Sequence, residues 1–206
     1  MFTFPEAATL PPRRVGQESL LLGRYASRLP NAFVLDADFE EGFYRRANLP
    51  EQLRRLFAGV NPRRIDEDLL EVLCHTASRL VRTSALMDDS VQLFLRALNN
   101  SGVLGGQPGN TPDAEFHLRR PDERRSERGH GRLPGSEVLF ALKRLWANDW
   151  LFDALVARLD TAGSIALEAR PALIFAGPPG TPDPELAEAL GAFEAWQSPL
   201  GLVGLA

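Results

Sequence analysis

Cysteine occurs once, as Cys74, so the chain cannot close an internal disulfide or build a multi-cysteine zinc or iron–sulfur site. Lysine also occurs once, Lys143 against 22 arginines, and any Schiff base or lysine-held phosphate would have to use it. Histidine is limited to His75, His117 and His130, and no two have the roughly three- to five-residue spacing of paired metal ligands. No metal and no cofactor are expected. Nor does any apolar run reach the ~18–20 residues needed to cross a bilayer. Residues 1–17 match neither a secretory signal nor a transit peptide. The expectation is a soluble, cytoplasmic protein with no membrane partner.

The 206 residues, 44% hydrophobic and 24% charged, suffice for one domain or two small ones. Net charge is −4 and unevenly placed: residues 1–132 carry 19 basic and 18 acidic side chains, residues 133–206 carry 4 and 9. The acidic C-terminal third argues against a general nucleic-acid coat, so any anion-binding surface is local. Arginine, planar and bidentate, suits such a surface better than lysine.

Residues 1–17, with Pro5, Pro11 and Pro12, read as an extended arm, and no repeat of fixed period follows. Residues 18–102 read as a helical lobe. Leu21, Leu22, Tyr25 and Leu29 mark a helix ended by Pro30, Ala32 to Leu35 a short buried strand, and Glu40 to Ala47 and Pro50 to Ala58 two further helices. Ile65, Leu69, Leu73, Ala77 and Leu80 or Val81 form an apolar stripe with acids at its start and Arg79 and Arg82 at its end, an order that complements the helix dipole. A second helix runs from Asp88-Asp89 to Gly102. The short connection predicts an antiparallel hairpin with Leu69, Leu73, Leu80, Phe94 and Leu98 in one core.

Residues 103–135 read as a Gly/Pro/Arg-rich loop or linker with one β-compatible patch, Glu115 to Leu118. From 136 to 206 the pattern predicts a helix through Trp146, another capped by Asp149, strands at Ser164 to Ala169 and Ala172 to Ala176, and a helix from Asp183-Pro184 that buries Leu186, Leu190 and Phe193. An apolar tail ends the sequence. The fold class expected is α+β, mainly helical: a helical N-terminal lobe, and a C-terminal lobe of helices with a small two- to three-stranded sheet.

Gly177-Pro178-Pro179-Gly180-Thr181, between a strand and a helix, resembles the first half of an ATPase phosphate-binding loop. The lysine that reaches the phosphates is missing, and Pro182, Asp183 and Pro184 stand in its place, so a helix-capping turn without nucleotide is expected. Glu71 and His75, four apart on a helix, are candidates for acid–base work, although the spacing alone favours a solvated face of ion pairs. Between 119 and 132 lie Arg119, Arg120, Arg124, Arg125, Arg128 and Arg132, which could hold a phosphate backbone or an acidic protein surface. Trp146 and Trp150, on one helical side, are either core or interface. With no assembled catalytic motif, the leading expectation is a non-enzymatic accessory or assembly protein that binds a protein partner through its arm, Arg-rich loop or tail. The alternatives are a nucleic-acid-binding protein using residues 119–132 and a small enzyme using His75 with Glu71.

Overall fold

The computed structural model describes residues 1–61, 64–105, 113–166 and 168–206. The N-terminal residues are helical where an extended arm was expected. Thr3 caps a one-turn helix, α1 (Phe4–Ala7): its hydroxyl accepts from the Glu6 amide while the Glu6 carboxylate accepts from the Thr3 amide, and Pro5 occupies the first turn, where no amide is needed. Pro12 opens α2 (Pro12–Val15) in the same way, and Gly16, with φ +83°, turns the chain into α3 (Gln17–Gly23). The prolines start helices here.

β1 (Ala32–Leu35), α4 (Ala37–Arg46) and α5 (Leu49–Leu56) lie close to their expected positions. Asp66 caps α6 (Glu67–Thr83) by accepting from the Leu69 amide. The buried side of α6 is Leu70, Cys74, Ala77 and Val81: Ala77 and Val81 are buried as expected, whereas in the first half of the helix Leu70 and Cys74 are buried in place of Leu69, which is 48% exposed, and Leu73, which like Leu80 is half-buried. α7 (Asp88–Ser101) buries Phe94 and Leu98 and stops at Gly102, whose φ of +68° suits a residue without a Cβ.

Within 103–135 the chain forms a hairpin: β2 (Ala114–Arg119) covers the expected β-compatible patch, and β3 (Ser126–Gly131) stands where loop was expected; residues 106–112 of that segment lie outside the described residues. α8 (Ser136–Asn148), α9 (Phe152–Ala162) and β4 (Ala172–Ala176) follow. The described residues of Ser164 to Ala169 form no strand, and Leu167 lies outside them. The chain ends in β5 (Thr181–Pro182), α10 (Pro184–Leu190), β6 (Ala195–Ser198) and β7 (Gly201–Leu205). Leu186 and Leu190 are half-buried and pack with the buried Ala187 against the core, while Phe193, expected to be buried, is 88% exposed.

The α+β class expected is the one found, with ten α-helices and two antiparallel sheets among the described residues. The larger sheet has the order β1-β4-β2-β3. Its pairing joins the two expected lobes, because β1 runs antiparallel to β4 from Ala32↔Phe175 to Leu35↔Ala172. One face of the sheet (Phe33, Leu35, Phe116, Leu118, Ile174) packs into a core with Phe43, Leu70, Phe94, Trp146 and Leu155 from the helices α4 to α9. The other face (Val34, Leu173, Phe175) packs against Phe4, Leu22, Leu202 and Leu205. The result is three layers, with the short N-terminal helices and the β5-β6-β7 sheet on the side opposite the longer helices. α6 packs chiefly on α8, and α7 on β1, so the expected α6–α7 hairpin is not the dominant contact. Among the described residues no helix is long and apolar enough to cross a membrane.

Candidate functional site

The helix α3 that follows the arm, the arginine-rich segment and the tail meet at one buried carboxylate. Glu18 of α3 is fully buried. Its Oε2 accepts from Arg119 Nη1 at 2.6 Å and from the Asp122 amide at 2.7 Å; its Oε1 accepts from Arg119 Nη2 at 2.8 Å, Arg124 Nη1 at 3.0 Å and the Leu205 amide at 3.0 Å. Arg119 also donates to the Val203 carbonyl at 2.6 Å. Burial works to raise the Glu18 pKa, but Arg119, the Asp122 amide and Arg124 outweigh it and hold the carboxyl below its usual range. Arg124 completes the group by stacking over Trp196 of β6, 3.3 Å from the ring centroid.

Arg120 enters the opposite layer. It is 1% exposed and forms a bidentate pair with Glu40 of α4, both contacts at 2.8 Å. It also donates to Asp149 and, at 2.6 Å, to the Arg170 carbonyl. The Arg170 amide returns to Glu40 at 2.8 Å. Asp149 therefore serves Arg120, and the expected cap of α9 is absent; the N-cap position belongs to Leu151. One guanidinium is shared by two carboxylates. Burial, with Asp149 beside it, raises the Glu40 pKa against the pull of Arg120, while Arg120 is raised despite its own burial by both acids.

Arg119 and Arg120 are thus committed to internal carboxylates, and Trp146 and Trp150 to the core. Trp146 is fully buried and stacks on Phe43 at 4.8 Å; Trp150, 3% exposed, donates its indole N–H to the Tyr44 hydroxyl at 2.7 Å. Glu71 and His75 are brought to 3.9 Å, beyond a hydrogen bond, on a solvent-facing stretch of α6. Sequence patterns singled out neither Glu18 nor Glu40, offered Asp149 only as a helix cap, and weighed His117 only as a metal ligand. His117 stacks on Phe175 and its Nδ1 lies 2.8 Å from the Gly177 carbonyl, which makes Nδ1–H the donor; burial pushes its pKa down to about 4. Among the described residues no three of His, Cys, Asp and Glu converge on a metal-sized site.

Gly177 to Asp183 is a turn into α10, stitched to β6 by the Asp183 amide bonding to the Ala195 carbonyl. The Asp183 carboxylate caps α10 by accepting from the Leu186 amide at 2.9 Å. Asp183→Ala is expected to lower stability by about 1 kcal/mol, a loss of ~2–4 °C in Tm by calorimetry; an unchanged Tm would mean the cap contributes nothing.

Arg125, Arg128 and Arg132 remain exposed and, among the described residues, have no carboxylate partner. They lie on or beside β3, the sheet's edge strand. The Gly177 amide donates to the Glu115 carbonyl on the β4 side of β2. By antiparallel alternation Phe116 and Leu118 therefore bond toward β3, to Gly129 and Glu127. The N–H and C=O groups of Arg128 and His130 consequently point away from the sheet, and no described residue bonds to them. Glu127 reaches Arg144 at 2.9 Å and Asn148 at 2.7 Å on α8, so Glu127, Gly129 and Gly131 face that helix, while Arg128 and His130 face the other way. Glu115 is opposite His130 in the register. Phe140 of α8 lies three residues after Glu137, which packs at Gly131, and four before Arg144, so it shares their side of the helix beside the strand; it is 60% exposed.

No protein-family model and no curated protein matches the chain.

Proposed function

We propose that this is a non-enzymatic accessory protein that binds a protein partner through the outer edge of β3. A single observation carries the reading: a strand edge with no pairing strand among the described residues is flanked by an exposed phenylalanine and by three arginines that have no carboxylate partner among those residues. Of the other two expected contact segments, the arm is packed on the sheet and the tail is bonded to Glu18 and packed there too. The partner chemistry follows from charge and alternation. An extended segment added to β3 would place alternate side chains against Arg128 and against Phe140, so its residues alternate acidic with apolar. A second copy of this edge would set cations opposite cations, which is unfavourable. A cytoplasmic location, as expected from the sequence, is part of the same proposal.

The test uses a capped heptapeptide alternating glutamate and leucine, with single- and double-stranded oligonucleotides in parallel, each followed by fluorescence anisotropy over a salt series. The peptide is expected to bind. Replacing Arg125, Arg128 and Arg132 together with serine should weaken it by about threefold to a hundredfold, since three exposed charge pairs contribute ~0.2–1 kcal/mol each. His130→Pro removes an outward N–H and no arginine, and such a proline is tolerated at a sheet edge; peptide binding should be lost in this variant. Retention of binding in His130→Pro, or binding of oligonucleotide alone with loss in the serine variant, overturns strand addition and, in the second case, favours nucleic acid.

A further inference from the structure

A cavity of about 590 Å³ opens between α4, α5 and the segment after α9, away from the β3 edge. Its walls include Tyr44, Leu53, Phe57, Trp150 and Ile165. The volume is that of an ordinary small-molecule site, and the lining is the apolar and aromatic kind that such sites use. Two of its walls are preorganised. Phe57 stacks on Trp150 at 5.9 Å with an interplanar angle of 21°, and Arg158 covers the Trp150 ring at 5.2 Å, so the indole is held in place. We propose that this cavity binds a neutral, apolar small molecule carrying one hydrogen-bond acceptor.

Neutrality follows from the rim. Arg54, the cation in the lining, is tied to Glu51 through two contacts of 2.8 and 2.9 Å, and Glu51 also takes Arg55 at 2.7 Å. No free charge is therefore offered to an ionic ligand by the described lining. The acceptor follows from Tyr44: its oxygen accepts the Trp150 N–H, and no described residue accepts its own proton. Burial, with the Glu40 charge nearby, raises the phenol pKa, so that proton stays in place. An acceptor on the ligand would satisfy it.

Nile red, a neutral flat dye with a ring carbonyl, serves as the probe, with displacement by 2-acetylnaphthalene and by 2-ethylnaphthalene, which have nearly one shape and differ in the acceptor. Saturable dye fluorescence is expected, with the acetyl compound displacing about three- to tenfold better, the value of one neutral hydrogen bond. In Tyr44→Phe the two naphthalenes should compete within about twofold of each other. Ala58→Trp fills the mouth from an exposed position, and with an unchanged melting curve it should weaken dye binding at least about tenfold. Absence of saturable binding, retention of binding in Ala58→Trp, or an acetyl compound no better than the ethyl one overturns the proposal. None of these readouts involves β3, so the peptide experiment stands or falls separately.

Discussion

Arg120→Leu is expected to destabilise the protein by about 3–5 kcal/mol in urea titrations, because it leaves Glu40, 1% exposed, without its counter-ion. A domain of ordinary stability has ~5–15 kcal/mol in all, so this variant sits near the threshold of folding. Lysine should not rescue it. A point charge cannot reproduce a pair with Glu40 at 2.8 Å on both oxygens together with the Arg170 carbonyl at 2.6 Å. The double variant Arg120→Leu, Glu40→Leu should recover at least half of the loss, since replacing both members of a buried pair by apolar groups is far less costly than removing one. The pH dependence has a definite sign. With Arg120 gone the Glu40 carboxyl, already raised by burial, rises further, and a raised carboxyl stabilises the fold when protonated and destabilises it as pH climbs. The deficit of the single variant should therefore narrow as pH is lowered from neutrality toward the ordinary carboxylate range. A deficit constant with pH, or a double variant no better than the single one, would mean that the cost lies in lost packing and not in the stranded charge.

The same pair shows what could be read from sequence and what could not. β1, β4, α8 and the turn into α10 were legible because each depends on local pattern: a short apolar run, a 3.6-residue stripe, or a cap three residues before its amide. The buried face in the first half of α6 was not, since Leu69 and Leu70 lie on adjacent flanks and α8, not α7, decides which is covered. Arginines 119 and 120 looked like neighbours in one basic segment. Consecutive strand residues point to opposite faces, so they enter different layers and find different acids, Glu18 and Glu40. A signal did exist for those acids. Glu18 precedes Leu22 by four residues, and Glu40 precedes Phe43 and Tyr44 by three and four, which puts each carboxylate on the apolar side of its helix. A charge in that position requires a partner. Which arginine answers is set by strand register, and that depends on residues about a hundred positions apart.

Glu18→Gln is expected to cost about 3–5 kcal/mol at pH 7, as large an effect as that of Arg120→Leu, because the substitution preserves shape yet removes acceptor capacity from a buried pair. Three donors converge on Oε1 and two on Oε2. An amide offers one oxygen, and its nitrogen would face guanidinium or backbone N–H groups with a donor, so at least two donors lose their partner. Local readouts should follow. The Leu205 amide, the Asp122 amide and the hairpin carrying Arg124 all depend on this carboxylate, so hydrogen exchange should rise in β6–β7 and around Asp122 before it rises in α8. The wild-type protein should also lose stability in acid in two stages. His117, with its pKa lowered from 6.5 to about 4, contributes stability that is present above 6.5 and declines as pH falls toward 4. Glu18, with its carboxyl held below 4.5, contributes stability that is present above 4.5 and disappears as pH falls through the lowered value. Glu18→Gln should keep the first stage and lack the second, so that its Tm approaches that of the wild type below the ordinary carboxylate pKa. Parallel Tm curves down to strongly acid pH would show that Glu18 is not the group linking α3, the arginine hairpin and the C-terminal strands.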